Sequence, residues 1–338
     1  MMASDNSSLL DRKKRAALSP VERQLIVKNL FVEHDRFKEA ITAVGRFHMP
    51  VNGGAPDFSV LTVLYGESRT GKSYVLERYA NRFPPSKSAK GFIRRVVYVD
   101  MPTECNLRAV AEQIADALNI PYTRRMNTRG LIGLILCELR DAAVEFLLLD
   151  EFQEAFDANR KKTLKDVRSL LRKILNLRSL NVCVAGLVET YDLLAADKQL
   201  KGRGLLPHHP LPAYHWDNAA DQKLFRLLCD YIDDLLPFRT KSNLGSVALA
   251  QRLYWVSDGV IGLLKEFIFA AACLAINAGA DRIEMHFFAE AWDIRKPRGQ
   301  AFNPFADDLR NAPDKSPPPP SEPLPTRKKP SDEIFSKK

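Results

Sequence analysis

The fold class is decided by the stretch Val60-Leu61-Thr62-Val63-Leu64-Tyr65-Gly66-Glu67-Ser68-Arg69-Thr70-Gly71-Lys72-Ser73. Its first six residues are largely apolar, as is typical of a buried parallel strand. The eight residues from Gly66 to Ser73 match the pattern G-x-x-x-x-G-K-[ST] at every fixed position. A helix is predicted over 72–82, so the glycine-rich loop lies between a strand and a helix, which is the setting that a phosphate-binding loop requires.

Each residue type in this loop has a physical role. The glycines let the backbone wrap around a phosphate, while successive N–H groups and the positive end of the following helix attract it. Lys72 is expected to reach the β and γ phosphates of ATP, and the Ser73 hydroxyl to bind Mg²⁺. The residues assigned to ATP binding are Gly66, Glu67, Ser68, Arg69, Thr70, Gly71, Lys72, Ser73 and Asp150.

Asp150 and Glu151 supply the second half of the expected site. They follow the apolar run from Phe146 to Leu149, at the strand end where open α/β sheets bind ligands. Asp150 is expected to hold Mg²⁺ through its water shell, and Glu151 to orient and deprotonate the attacking water. An acidic pair alone is more often a solvated strand end, but together with the loop it predicts ATP hydrolysis.

Strands and helices alternate through the first two thirds of the chain. Further strands are predicted at 96–99, 146–149 and 182–185, and further helices at 107–118, 131–143 and 164–177. This alternation predicts an α/β fold with a parallel sheet between two layers of helices. After about Pro212 the patterns are helical only, over 218–235, 244–255, 259–277 and 286–294.

Four parts are therefore expected: a basic N-terminal extension with a helix (1–45), the nucleotide-binding α/β core (46–210), a small helical lid domain (211–300) and a Pro/Lys-rich disordered tail (301–338). Ser19-Pro20-Val21-Glu22 has the pattern of a capping box and predicts the start of the N-terminal helix. The first 18 residues are expected to be flexible.

Composition narrows the class of protein. With 46% hydrophobic residues in 338, disorder of the whole chain is excluded, and no apolar run of about 18 residues predicts a membrane span. The N-terminus lacks the apolar region of a secretory signal, and five cysteines without zinc-ligand spacing are typical of free thiols in a reducing cytoplasm. The adjacent His208 and His209 point apart and predict no metal site.

The net charge of the chain is +9, which favours a polyanionic partner such as nucleic acid.

From about Phe31 to Arg295 the chain resembles AAA+ ATPases and, more narrowly, the TniB/TnsC family of transposition regulators. Besides the phosphate loop, the resemblance rests on segments in the family's order and spacing. They are Val96-Val97-Tyr98-Val99-Asp100-Met101-Pro102, Asp150-Glu151-Phe152-Gln153-Glu154, Asp197-Lys198-Gln199-Leu200-Lys201-Gly202-Arg203, Leu211-Pro212, Leu227-Leu228, Leu236-Pro237 and Ser257-Asp258-Gly259-Val260-Ile261-Gly262-Leu263-Leu264.

The resemblance implies a P-loop AAA+ core that forms a homo-oligomer, either a ring or a helical filament, on double-stranded DNA with ATP. It further implies recruitment of a transposase and of a TniQ-like targeting protein, with hydrolysis driving disassembly. Arg203 is similar to the arginine that such proteins present to the γ-phosphate in the neighbouring subunit, where it would stabilise charge in the transition state. The alternative for Arg203 is a surface arginine in a turn.

Two positions depart from the family pattern. The strand over 182–185 ends in Gly186-Leu187, where relatives often have a polar sensor residue, and Thr190 or Glu189 is the candidate substitute. Gly262 occupies the position of a lid arginine in many AAA+ relatives, and Lys265 is the nearest cation. Because both positions lack the usual sensor residue, we expect slow ATP hydrolysis. A slow ATPase is better suited to act as a molecular switch than as a fast motor.

Three basic clusters are candidate DNA contacts, because phosphate binding requires exposed Lys or Arg. They are Lys87 to Arg95, then Arg124 and Arg125 with Arg129, and Arg160-Lys161-Lys162 with Lys165. A solvated face is the usual meaning of such a run. The Arg124–Arg125–Arg129 cluster is preferred, because it follows the helix after the second strand, roughly where ring-forming relatives face their pore.

Two other functions remain open on the sequence alone. One is a replication initiator or loader of the same AAA+ clade, which a winged-helix domain after the lid would favour. The other is a secretion-linked or signalling ATPase without DNA binding, in which a membrane segment or sensor domain is usual. The sequence analysis favours the transposition regulator over both.

Overall fold

The computed structural model describes residues 11–89, 91–156, 161–202 and 205–313. Its helices are α1 (Pro20–Lys28), α2 (Asp35–His48), α3 (Lys72–Ala80), α4 (Leu107–Leu118), α5 (Thr128–Asp141), α6 (Lys161–Leu175), α7 (Val188–Ala195), α8 (Lys198–Lys201), α9 (Ala219–Leu235), α10 (Val247–Ser257), α11 (Ile261–Asn277) and α12 (Met285–Arg295). Its strands are β1 (Leu61–Tyr65), β2 (Ser86–Ser88), β3 (Gly91–Ile93), β4 (Val96–Asp100), β5 (Phe146–Asp150), β6 (Asn181–Gly186) and β7 (His208–Pro210).

Five strands form one sheet in the order β4-β5-β6-β1-β7, and all its pairings are parallel. Every residue of β5 and β6 is buried, as expected for central strands covered on both faces. The register sets Asp100 beside Asp150, and Tyr65 beside both Gly186 and Pro210. The carboxyl ends of the strands therefore meet at one edge, where the predicted site residues lie.

Helices cover both faces of the sheet. On one face α4, α5 and α6 bury Ile114, Leu131 and Leu171 against the strands, and on the other α2 and α3 bury Val44 and Leu76. The predicted parallel sheet between helical layers is confirmed. The helix α2 packs on the sheet although the sequence analysis had assigned 1–45 to an extension outside the core.

The sequence analysis missed three strands. β7 pairs with β1, setting His208 beside Val63, but a run of His-His-Pro has no apolar pattern that would reveal it. β2 and β3 form a separate two-stranded hairpin after α3, and these three-residue strands are too short and polar to produce a period-2 signal.

The helices α9 to α12 pack around a second apolar core. Its fully buried side chains include Phe225, Leu253, Leu264 and Phe288, and α1 adds Val27. The predicted helical part after the sheet is confirmed. Among the described residues no single helix is long and apolar enough to cross a bilayer; α10 and α11 meet that test only as a pair bent by 113°.

The segment before α1 is fixed to this helical part. Residues 11–16 are helical, and Arg12 is 3% exposed. Its Nη2 donates to Asp233 O at 2.7 Å, while Arg15 Nη2 donates to Asp234 O at 2.7 Å, so two arginines satisfy carbonyls at the end of α9. The expectation of flexibility is therefore wrong for residues 11–16. The capping box at Ser19 and Glu22 is present.

The described chain also continues beyond the predicted lid boundary. Phe305 is buried, and its ring stacks on Phe267 and Phe288 at centroid distances of 5.2 and 5.4 Å. Trp292 Nε1 donates to Phe302 O at 2.9 Å. The segment up to Phe305 thus belongs to the helical core instead of to a tail that begins at 301, and residues 314–338 lie outside the described residues.

Candidate nucleotide site

The predicted phosphate loop leaves β1 at Tyr65 and enters α3 at Lys72. Leu211 N donates to Tyr65 O at 2.7 Å, and a Cβ at position 66 would lie 2.1 Å from Leu211 O. Only glycine fits there. Gly71 has φ +102°, in the left-handed region that favours glycine, and it precedes α3 without any side-chain cap. The first amides of α3 are therefore open to an anion.

Lys72 lies inside the loop and is 5% exposed. Its Nζ donates to Gly66 O at 3.0 Å and to Glu67 O at 2.6 Å. Burial lowers the pKa of Lys72, while the nearby Glu151 and Asp150 act in the opposite direction. The cation is therefore held by two loop carbonyls, close enough to the acidic pair for both carboxylates to affect its pKa.

Asp150 is fixed at the end of β5 by two donors. Tyr98 OH donates to Oδ2 at 2.9 Å, and Glu151 N donates to Oδ1 at 2.9 Å. The carboxylate is 1% exposed, and it reinforces the effect of burial in raising the pKa of Tyr98. Sequence analysis missed Tyr98 as a site residue, since a tyrosine within an apolar strand is usually core.

Glu151 follows with φ +50°, a left-handed conformation that is rare for a non-glycine residue and concentrates at functional sites. Its side chain faces the same cleft as the phosphate loop. Gln153, in the 3-10 turn Phe152–Phe156, donates from Nε2 to Glu151 Oε2. Gln153 belongs to a segment that carries the family resemblance, but nothing in the sequence predicts its contact with Glu151.

Lys72 and Glu151 border a cleft of about 820 Å³ between the sheet, the α1–α2 connection and the helical lid. Its other wall is mainly apolar and includes Leu30, Phe31, Phe37, Leu211, Ile232 and Phe269. His34 lies in the same wall, where its Nδ1 accepts from Phe37 N at 3.3 Å. Burial, with help from Arg36, lowers the pKa of His34 to about 4, so the ring is neutral at neutral pH.

The lid contacts the phosphate loop directly. Arg69 Nη1 donates to Glu266 Oε2 at 2.8 Å, and both residues belong to the cleft lining. Lys265 also lines the cleft, with Nζ 5.6 Å from the centre of the Tyr74 ring. The lid-sensor candidate Lys265 thus lies at the cleft, beside the helix that begins with Lys72.

The two candidate substitutes for the missing sensor after β6 differ in their surroundings. Thr190 is fully buried, and a Cβ at Gly186 would come 2.3 Å from its Oγ1. Glu189 is exposed. Gly66 N donates to Gly186 O at 3.2 Å, so Thr190, unlike Glu189, is buried beside the start of the phosphate loop.

Arg203 lies outside the described residues. The short helix α8 precedes it, and Asp197 before that helix lies 3.8 Å from both Arg168 and Arg172 of α6. These two ion pairs fix the start of α8 against α6.

The preferred DNA-contact residues Arg124, Arg125 and Arg129 are all exposed. None of them pairs with a carboxylate among the described residues. Arg108, in the first turn of α4, donates to Met126 O, so this loop lies near the carboxyl-end edge of the sheet. The other two clusters differ from it: Arg95 pairs with Glu145 at 2.8 Å near the opposite edge, and Arg160 lies outside the described residues.

The parallel sheet, the phosphate loop after β1 and the helical lid together define an AAA+ ATPase fold. The chain is similar to the ORC2 protein of Aeropyrum pernix in ADPNP–ADP complexes, with TM-score 0.57 and 17% identity over 79% of this chain and 71% of that one. It is also similar to Cdc6p of Pyrobaculum aerophilum, with TM-score 0.56 and 16% identity over 80% and 70% of the two chains. Drosophila ORC bound to DNA gives a TM-score of 0.52 at 13% identity, over 82% of this chain and 66% of that one.

A family model described as Bacterial TniB protein matches residues 24–214. The chain therefore belongs to the TniB family, and the resemblance drawn from its motifs is confirmed. No match is found among the curated proteins.

Proposed function

We propose that the protein is a cytoplasmic, ATP-dependent DNA-binding regulator of transposition. It assembles as a homo-oligomer on target DNA, recruits a transposase and a TniQ-like targeting protein, and leaves the DNA after hydrolysis. The observation that carries this proposal is that Lys72 and Glu151 line one lid-covered cleft in a chain of the TniB family, with Asp150 close enough to Lys72 to affect its pKa.

The residues present fit ATP with Mg²⁺. Phosphates would be held by the uncapped start of α3, the left-handed Gly71 and the buried Lys72. The apolar wall on the opposite side of the cleft suits the adenine base of ATP. Ser73 and Asp150 are the oxygen ligands that would hold Mg²⁺, directly and through its water shell. The ion would neutralise charge developing on the phosphates.

Hydrolysis assigns one role to each remaining residue. Glu151 accepts a proton from the water that attacks the γ-phosphorus, and ADP leaves with the electrons of the broken P–O bond. Lys72 holds the β and γ phosphates. Arg203 of a neighbouring subunit completes the site, which makes hydrolysis depend on assembly.

DNA binding is assigned to Arg124, Arg125 and Arg129. Their exposure and the lack of carboxylate partners among the described residues leave their charges available for backbone phosphates. Contacts of this kind carry no base readout, which suits a protein that captures many different targets.

The test is ATP hydrolysis by the purified full chain, with and without double-stranded DNA. The parent protein is expected to bind ATP, to assemble on DNA with ATP and to hydrolyse slowly. Lys72→Ala should lose binding of a labelled ATP analogue. Glu151→Gln should still bind ATP, but it should hydrolyse ATP more slowly than the parent protein and stay on DNA longer.

Four results would contradict the proposal at different points. If Lys72→Ala binds the nucleotide as tightly as the parent protein, the assignment of the nucleotide site is wrong. If Glu151→Gln hydrolyses ATP at the rate of the parent protein, Glu151 is not the general base. ATP turnover without DNA-dependent assembly favours the secretion or signalling ATPase. Assembly on DNA without transposase recruitment favours the replication initiator.

A further inference from the structure

Gln153 is the side chain that holds the Glu151 carboxylate. It lies two residues further on, in the 3-10 turn that follows β5, and its Nε2 donates to Glu151 Oε2. No other described side chain donates to that carboxylate. Because Glu151 has a left-handed backbone and a side chain with three rotatable bonds, this contact restricts where the carboxylate points.

The other end of the Gln153 amide is buried without a partner. Its Oε1 has no hydrogen bond among the described residues, and the same is true of Thr190 Oγ1. Such orphaned buried groups are rare in folded proteins and call for a functional or structural explanation.

Both orphaned atoms lie beside Gly186. A Cβ at Gly186 would lie 2.9 Å from Gln153 Oε1 and 2.3 Å from Thr190 Oγ1. The two atoms form no hydrogen bond with each other. The Gln153 amide therefore has its oxygen on the Gly186 side, while its nitrogen bonds to Glu151.

Gly186 adjoins the proposed reaction centre. Its carbonyl oxygen accepts a hydrogen bond from Gly66 N, the first residue of the phosphate loop, and Glu151 lies close enough to Lys72 to affect its pKa. A side chain at position 186 would clash with both Gln153 and Thr190.

We propose that Gln153 is a positioning residue for ATP hydrolysis. Its amide orients the Glu151 carboxylate toward the attacking water. The inference rests on the proposed role of Glu151 as the base. A displaced base loses a large part of its effect, since catalysis by proximity depends on sub-ångström placement.

The discriminating variant is Gln153→Met, because methionine keeps the length and volume of glutamine but has no N–H donor. ATP turnover at saturation should fall about 10- to 100-fold. The KM for ATP and the affinity for a non-hydrolysable analogue should stay within about twofold, since ground-state binding is untouched. The melting temperature should not fall, because the variant removes a buried unpaired oxygen. A fall in melting temperature together with lost nucleotide affinity would overturn the proposal in favour of a packing role.

Two comparisons with Glu151→Gln separate this inference from the proposed function. Adding Gln153→Met to Glu151→Gln should cause no further loss of turnover. If Gln153→Met hydrolyses ATP at the rate of the parent protein while Glu151→Gln is inactive, the role of Gln153 is rejected and the proposed function is not affected. Parent-rate turnover in Glu151→Gln itself instead rejects the proposed base.

Discussion

Gly262 of α11 lies directly against Arg69 of the phosphate loop. The Gly262 amide donates to Arg69 O at 3.0 Å, and a Cβ at position 262 would come 2.8 Å from that oxygen and 2.8 Å from Arg69 Cβ. The sequence departs from the AAA+ family pattern at this position, where many relatives have an arginine. Only glycine allows this close contact, because a side chain at position 262 would push the lid away from the phosphate loop.

Gly262→Ala is therefore expected to weaken ATP binding. The added methyl group must displace backbone atoms of the loop, and overpacking of this kind costs about 1–3 kcal/mol, which is about 5- to 150-fold in affinity. The measurement is titration with a labelled ATP analogue.

The matched control is Gly133→Ala in α5, where a Cβ would meet nothing within 4 Å. It should leave ATP affinity unchanged and raise stability slightly, since alanine favours a helix over glycine. Equal ATP affinity in both variants would contradict the contact-based explanation.

Arg12→Ala should destabilise the helical lid. The Arg12 guanidinium is buried beside Asp233, itself 1% exposed, and removing it leaves a buried carboxylate with less compensation. Breaking a buried pair costs about 3–5 kcal/mol, visible as a lower urea midpoint. Lys13→Ala, at an exposed neighbour, should leave the midpoint unchanged. A shift of the same size in both variants would mean that charge, not burial, is responsible.

Stability should fall as pH drops below 6.5, partly through His34. Burial lowers the pKa of His34 in the folded protein to about 4, so the unfolded chain takes up this proton at a higher pH than the folded protein does. The contribution of neutral His34 to the free energy of unfolding is therefore complete above pH 6.5 and is lost as the pH falls toward 4. About 2 kcal/mol should be gone by pH 5.

His34→Asn should flatten this dependence while keeping an N-cap for α2. The check is the unfolding free energy at several pH values, with the exposed His215→Asn as control. A parent-like slope in His34→Asn would show that other groups are responsible.

Arg203→Ala should separate assembly from binding. If Arg203 acts in the neighbouring site, dilute monomer keeps its ATP affinity while hydrolysis in the assembly falls, by about 10³-fold or more for an arginine of this type. Binding at low concentration and turnover at high concentration are the two measurements. Lost affinity in the monomer would instead place Arg203 in its own subunit's site.

DNA binding should depend on salt and not on base sequence. Each neutralised phosphate contributes about −0.9 to the slope of log affinity against log salt, so replacing Arg124 and Arg125 by alanine should make the slope shallower on unrelated duplexes. Lys328 and Lys329, replaced together, are the charge-matched control and should leave it unchanged. The opposite pattern would move the DNA surface away from the Arg124 loop.

Local patterns in the sequence were sufficient for much of the site. The loop from Gly66 to Ser73 and the Asp150–Glu151 pair follow apolar strands, and parallel strands must end at a shared edge, so convergence of these residues was predictable. The start of α1 at Ser19 was predictable too, because a capping box involves only neighbouring residues. Periodicity gave the main strands but could not find β7, whose short polar run pairs only because β1 lies beside it.

The sequence by itself determined the fold class, the phosphate loop and the acidic pair, because these depend on residue type at fixed local spacing. Only the tertiary structure decided that Tyr98 fixes Asp150, that Gly262 must be glycine and that Arg12 is buried against Asp233. Each of these contacts joins segments far apart in the chain. Hydrogen bonds and close packing require specific distances and angles, which arise only when strand order and lid docking bring such segments together.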